Sequence, residues 1–336
     1  MKSDCPYRGD KFYLNNTNYD SFRHKLSYRY QWAREDCEDI RMTVALPLRK
    51  MGGISWLALE SLRRQEGVDF NWELIIYEDN GESRGVLDKF IGKMPGCKKI
   101  IYKSIVPEID GRQTGKFAGS VPLIDKWVGI AQEASSSSVG YVLQAGDVYS
   151  PKRMLKNHFE NFKNKNCIYS TYPRGLFYHL GTKKKMFYDG YGLKNYGKDF
   201  LTIMHLNMAV RTSDIRRIRP NPTEKEKNRL IDKYIRVNIY KNRGVDPTKN
   251  KYIYNVDDID SEDWATGFNT DGLNTISSRK LIYDDPEGWS RERKIKLWAT
   301  YSKESLSSFK CPKFESVIPQ NVIDFLNSIK EVRKGR

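Results

Sequence analysis

Residues 139–151 read VGYVLQAGDVYSP. The apolar run of Val139, Tyr141, Val142 and Leu143 stops abruptly at Gln144, Ala145, Gly146 and Asp147. Ser150 and Pro151 then open a pattern that places Met154, Leu155, His158, Phe159 and Phe162 on one side. This predicts a buried strand, an acidic turn, and a helix whose first position is Pro151. In open α/β sheets, ligands gather at the carboxyl ends of the strands. A lone carboxylate at such an edge suits a divalent cation and the phosphates it carries.

Upstream, Met42, Val44, Ala45 and Leu46 make a short buried strand that ends at Pro47. Gly52 and Gly53 punctuate a loop, and Ile54, Leu57, Ala58 and Leu62 recur at helical spacing. Leu74, Ile75, Ile76 and Tyr77 form a second strand, which stops at Glu78, Asp79, Asn80 and Gly81. A short helix follows near 86–90, and residues 99–106 (KIIYKSIV) give a third strand. Ile124, Trp127, Val128 and Ala131 mark the next helix. Strands that alternate with helices predict an α/β fold with a mainly parallel sheet flanked by helices.

Downstream the regularity loosens. Residues 167–172 and 203–210 read as strands, and the Tyr-, Gly- and Lys-rich segment 173–200 between them as loops. Residues 220–227 are a charged connection, and residues 257–263 are strongly acidic. Val322, Ile323, Leu326, Ile329 and Val332 lie on one face of a C-terminal helix. Residues 1–40 are polar and Tyr-rich, and read as an extension packed on the body.

The 336 residues suffice for one large or two modest domains. A hydrophobic fraction of 39% and an aromatic fraction of 12% speak for a folded chain. The net charge of +16 suits anionic partners, whether nucleic acid, an anionic membrane surface or phosphorylated ligands, and it also serves solubility. The five cysteines are odd in number and form no C-x-x-C pair, which disfavours a disulfide framework or zinc site and favours a reducing compartment. No apolar run approaches the roughly 20 residues that span a bilayer, and the N-terminus lacks the apolar core of a signal peptide. The expectation is a cytoplasmic protein, peripheral to a membrane where the charge meets anionic lipid.

Three groups of side chains carry chemistry. Asp79 and Asp147 each follow a strand, where Asp79 is placed to accept hydrogen bonds from a base or ribose and Asp147 to hold a metal. Both also suit local turns, where an acid accepts from nearby backbone N–H groups. The third group is DDIDSEDW, residues 257–264. Clustered acids raise one another's pKa and can supply a general base. The same stretch also reads as an acidic helix start capped by Ser261. Arg112 and Lys116, in GRQTGKF, do not make a P-loop, because only three residues separate Gly111 from Gly115 and Phe117 replaces the metal-binding hydroxyl.

RMTVALPLRKMGGISWLALESLRRQ, WELIIYEDNGES and YVLQAGDVYSP together resemble the nucleotide-binding half of a GT-A glycosyltransferase of the family 2 kind. The first helix has the family's ESL-x-x-Q-like ending in Glu60, Ser61, Leu62 and Gln65. The resemblance implies that Asp79, with Glu78 beside it, binds the nucleoside, and that Asp147 is the last acid of a D-x-D-type motif. Gln144 and Gly146 stand where the family usually has acids. NMAVRTSDIRRI, residues 207–218, is similar to the strand and turn where the acceptor side begins, and SEDW occupies roughly the place of the catalytic base.

The resemblance implies an N-terminal extension (1–40), a GT-A-like domain (41–285) and a C-terminal helical tail (286–336). The domain has a nucleotide-binding half at 41–165 and an acceptor half at 166–285. It further implies an inverting transferase that uses a nucleotide-sugar donor, UDP-linked by expectation, with Mn²⁺ or Mg²⁺. The acceptor would be a hydroxyl of a glycan or glycoconjugate. Pro47, Arg49, Glu78, Asp79, Arg112 and Lys116 would face the nucleotide, and Asp147 the metal. Asp263, with Glu262 and Asp260 as its competitors, would be the base, and Trp264 would stack on the acceptor sugar or, as tryptophans more commonly do, fill the core. Two rivals stand beside this reading. A nucleotidyltransferase would share the sheet and the metal, but LPLRKMGG is a poor version of its Gly-rich loop. A nucleic-acid binder suits the charge and the 21 tyrosines, but the chain shows no RRM-like or zinc-finger motif.

Overall fold

A computed structural model of the chain describes residues 24–48, 55–79, 87–107, 121–172, 174–179, 185–189, 206–218, 231–245, 253–255 and 265–269. The strands of the first half are β1 (His24–Ala33), β2 (Ile40–Leu48), β3 (Asn71–Asp79), β4 (Cys97–Pro107), β5 (Gly140–Leu143) and β6 (Val148–Tyr149). Those of the second are β7 (Tyr169–Tyr172), β8 (Arg174–His179), β9 (Lys185–Asp189), β10 (Leu206–Arg211), β11 (Ile253–Asn255) and β12 (Ala265–Asn269). The helices are α1 (Ser55–Arg63), α2 (Leu123–Glu133), α3 (Met154–Lys163), α4 (Thr212–Ile215) and α5 (Ile231–Arg243).

Eight strands form one sheet in the order β1-β4-β3-β2-β5-β10-β7-β11. β2 lies parallel to β3 and β5, and β3 parallel to β4. β10 runs antiparallel to both β5 and β7, so β7 and its parallel neighbour β11 point the same way as β5. β1 is antiparallel to β4 and closes that edge. A second sheet has the order β6-β12-β8-β9.

The central strands are apolar on both faces, as expected of a parallel sheet covered on both sides. Met42, Val44, Leu46, Trp72, Leu74, Ile76, Ile100 and Tyr102 point into one core, with Leu59 and Leu62 of α1 and Met154, Leu155 and Phe162 of α3. The alternate residues Ala45, Ile75, Tyr77, Ile101 and Ile105 point into the other, with Trp127, Val128 and Ala131 of α2 and Ile235 and Ile239 of α5. The result is a mainly parallel sheet between two helical layers, the architecture expected from the alternating pattern. Gly140 allows the closest approach: a Cβ there would meet Met42 and, at 2.7 Å, a ring carbon of Phe162.

Several expectations need correction. Residues 24–33 of the N-terminal segment are an integral sheet strand, β1. The segment 173–200, read as loops, contains the paired strands β8 and β9. Helix α5 and strands β11 and β12 were not expected. Pro151 does not open α3, which begins at Met154. The Pro151 carbonyl instead accepts from the Gln65 side chain at 2.7 Å. The expected C-terminal helix lies outside the described residues. Cys37, Cys97 and Cys167 are free thiols. Among the described residues no helix is long and apolar enough to cross a membrane.

His158 sits on the buried face of α3, with Nδ1 2.8 Å from Ser170 Oγ. Burial pushes its imidazole from the usual 6.5 down to about 3. The unfolded chain therefore takes up a proton below about pH 6.5 that the folded chain refuses. The stability from this group is fully present above that pH and falls as the pH drops toward about 3, by up to about 1.4 kcal/mol per pH unit. Denaturant unfolding of His158→Phe is expected to show a flatter stability profile between pH 6.5 and 4.5 than the parent. An unchanged slope would exclude a buried neutral His158 as its source.

Candidate nucleotide site

The chain leaves β2 through α1 on one face of the sheet and enters β5 from α2 on the other. The strand order reverses between β2 and β5, and this is the topological switch point where open α/β sheets bind ligands beyond the strand carboxyl ends. β5 ends at Leu143 opposite Ala45, while β2 runs on through Leu46, Pro47 and Leu48. Pro47 has no N–H, and it lies past the stretch that β5 pairs, where that loss is tolerated.

The acidic turn lies at this switch point. The Gln144 N–H donates to the Ala45 carbonyl at 3.0 Å, and the Val148 N–H donates to the Ala145 carbonyl at 3.2 Å. Gln144 is fully buried, and its Nε2 donates to the Ala145 and Val148 carbonyls at 2.9 and 2.8 Å. Its Oε1 accepts from Ser150 Oγ at 2.6 Å and from Asn207 Nδ2 at 2.8 Å. Both ends of the amide are thus occupied within the turn. A carboxylate at this position would set an oxygen against two carbonyl oxygens, which gives a physical reason for glutamine here.

Asp147 is half-buried on this turn, one residue before β6. Tyr149 follows, its hydroxyl pushed up to about 12 by burial, so it stays protonated at neutral pH. Among the described residues no three His, Cys, Asp or Glu side chains gather as a cation cage. One carboxylate fits a hard cation that keeps waters and leans on substrate phosphates.

Gln65 secures the other side of the turn. Its Nε2 donates to the Ser61 and Pro151 carbonyls at 3.1 and 2.7 Å, and its Oε1 accepts the Leu155 N–H at 3.0 Å. It therefore closes α1 and caps the first turn of α3 together. Glu60 is bound to Arg63 through both carboxylate oxygens, at 2.7 and 2.5 Å.

Asp79 ends β3, on the side of β2 away from β5, and is 3% exposed. Its Oδ2 lies 2.6 Å from Lys126 Nζ, and its Oδ1 accepts the Val121 N–H at 3.3 Å. Lys126, on α2, also donates to the Leu48 carbonyl at 2.9 Å. One buried ammonium thus ties together the carboxyl ends of β2 and β3. Glu78 is buried too, and accepts the Tyr102 hydroxyl at 2.6 Å. The fold gathers Pro47, Glu78, Asp79 and Asp147 along one sheet edge. Arg49, Arg112, Lys116, Asp260, Glu262, Asp263 and Trp264 lie outside the described residues. Sequence reasoning missed Lys126, Ser150 and Asn207. A charged pair inside the apolar run LIDKWVGIA was the available signal for Lys126. At the opposite edge, a cleft of about 460 Å³ is lined by Lys165, Ser213, Asp214, Arg217 and Arg243.

No protein family and no curated protein matches the chain. Among solved structures it is similar to S. aureus TarS 1–349, at 13% identity and a TM-score of 0.42 over 82% of this chain and 77% of that one. The same protein in complex with UDP-GlcNAc gives 15% identity and a TM-score of 0.28, over 42% of this chain and 34% of that one. The chain thus spans about a third of the length of that complex's protein. A 4-diphosphocytidyl-2C-methyl-D-erythritol synthase from Anaerococcus prevotii gives 9% identity and a TM-score of 0.34, over 65% and 87% of the respective chains. Mouse xyloside xylosyltransferase 1 gives 11% and 0.32, over 63% and 84%.

Proposed function

We propose that the protein is a nucleotide-sugar-dependent glycosyltransferase whose donor diphosphate lies at the carboxyl ends of β2 and β5. The observation that carries this reading is an acid-bearing turn, held rigid by buried amides, at the topological switch point of a mainly parallel sheet. The motif resemblance of residues 41–165 supports it. Asp147 would hold Mn²⁺ or Mg²⁺. The cation, when bound, offsets the negative charge of the departing diphosphate. Arg49, Arg112 and Lys116 would add positive charge there. Asp263, or its neighbours Glu262 and Asp260, would take the proton of an acceptor hydroxyl. The oxygen of that hydroxyl attacks the anomeric carbon from the face opposite the diphosphate, and the carbon–oxygen bond to the diphosphate breaks as the new one forms. Trp264 would stack on the acceptor sugar.

The test is to incubate the chain with UDP-, GDP- and TDP-sugars plus Mn²⁺ and to measure nucleoside diphosphate release. One donor is expected to be hydrolysed above the rate without protein. If no donor is hydrolysed and none binds in calorimetry, the reading fails. Pyrophosphate release from a nucleoside triphosphate and a sugar 1-phosphate would establish the nucleotidyltransferase instead.

A further inference from the structure

We propose that Asn207 is a positioning residue that fixes the conformation of the Asp147 turn from the neighbouring strand β10. Its functional consequence rests on the reading that this turn serves the donor diphosphate. Asn207 has φ 51, in the left-handed region that, after glycine, asparagine adopts most readily among the common residues. It stands where the β10–β7 register shifts between Leu206 and Met208, so it is the extra residue of a bulge. Bulges of this kind re-aim a side chain.

The side chain is 3% exposed, and its Nδ2 reaches Gln144 Oε1 and Ser150 Oγ, both at 2.8 Å, and Met154 Sδ at 3.0 Å. Ser150 Oγ itself donates to Gln144 Oε1 at 2.6 Å. Gln144 and Ser150 bracket the turn, so a single amide group holds both of its ends. The opposite orientation of the amide would set Oδ1 against Gln144 Oε1, so the network fixes which atom is nitrogen. Asn207 Oδ1 is buried and has no hydrogen-bond partner among the described residues. A left-handed asparagine and an unpaired buried oxygen both cost stability, and such costs persist where they serve an arrangement. The arrangement here is the turn. Because β10 belongs to the half of the chain expected to bind the acceptor, the clip also links the two halves through one side chain.

The test uses Asn207→Gly, which keeps the left-handed backbone and deletes the amide. Hydrogen exchange followed by mass spectrometry is read over residues 144–149, with β3 and β4 as internal reference. The turn is expected to exchange about tenfold faster while the reference segments stay unchanged. In parallel, the Mn²⁺-dependent part of UDP affinity should fall about tenfold, and the affinity in chelator should not change. Turn exchange within about twofold of the parent, or an equal increase in the reference segments, overturns the proposal. If the parent itself binds no UDP, the nucleotide reading fails while the exchange measurement still decides the clip. Should Asn207→Gly not fold, Ser150→Ala frees the Ser150 end of the turn from the Asn207 amide, keeps the direct bond to Gln144 and leaves the bulge intact. It is read against the same two outcomes.

Discussion

Asp79→Ala is expected to lose about 3–5 kcal/mol of stability, because it removes the carboxylate of a buried ion pair and leaves the buried Lys126 ammonium without it. For a folded unit of this size, that loss lowers the thermal midpoint by roughly 6–20 °C. Lys126 is 4% exposed, and its two named acceptors are Asp79 Oδ2 and the Leu48 carbonyl. Alanine removes the carboxylate of the two. Replacing both partners with apolar side chains, Asp79→Leu with Lys126→Met, should restore much of the loss, since the desolvation penalty then disappears from both sides. Thermal unfolding of the single and double variants separates the two effects. A midpoint for Asp79→Ala within about 2 °C of the parent would show that the pair contributes little. The same geometry changes how a binding assay is read: a weaker nucleotide affinity in Asp79→Ala would report a disturbed sheet edge as well as a lost contact. Asp79→Asn keeps the shape but also removes the charge beside Lys126, so its nucleotide affinity is read together with its thermal midpoint.

Asp147→Asn is expected to do the opposite, sparing the fold and removing function. Asp147 is half-buried on a turn whose two ends are tied together by Gln144, Ser150 and Asn207. Asparagine keeps the shape and deletes the charge. With Mn²⁺ present, UDP affinity should fall by a factor of roughly ten to a hundred, toward its value in chelator, as the loss of one charge-assisted interaction implies. Calorimetry of parent and variant, with Mn²⁺ and with chelator, reads this directly. If the variant keeps the full metal effect, the cation lies elsewhere. If the parent shows no metal effect, Arg112 or Lys116 becomes the better partner for the leaving diphosphate.

The parts of the fold legible in the sequence were those with local periodicity. β2, β3, β4 and β5 are continuous apolar runs because helices cover both of their faces, and α2 and α3 carry a clear apolar stripe. β1 was legible in principle. Leu26, Tyr28, Tyr30 and Trp32 alternate with polar residues, and Tyr30 and Trp32 are buried. The polar, Tyr-rich composition of residues 1–40 as a whole outweighed this short alternation. α5 has Ile235 and Ile239 at helical spacing, but follows a charged connection that drew the eye away. At the site, the edge position of Asp147 followed from strand and turn chemistry alone. The Asp79–Lys126 pair did not, because its partners are 47 residues apart and meet only when α2 packs on the sheet. The same holds for Asn207, which reaches Gln144 across 63 residues through a bulge that no local pattern announces.

The position of β1 governs where the chain can be cut. The sequence pattern sharpens at Arg41, which makes that residue the natural place to trim a supposed extension. Yet β1 pairs with β4 from His24 opposite Pro107 to Ala33 opposite Lys99. Without it, an apolar strand of 11 residues would present its unpaired N–H and C=O groups to solvent. Such an open edge is a template for a strand from another molecule, and the usual outcome is aggregation. The lysines of β4 would be its remaining protection. The first described strand, an edge with Lys25, Arg29 and a register shift between Leu26 and Tyr28, is better guarded against self-association than β4 would be, and a shortened protein is expected to keep its solubility only if that strand stays.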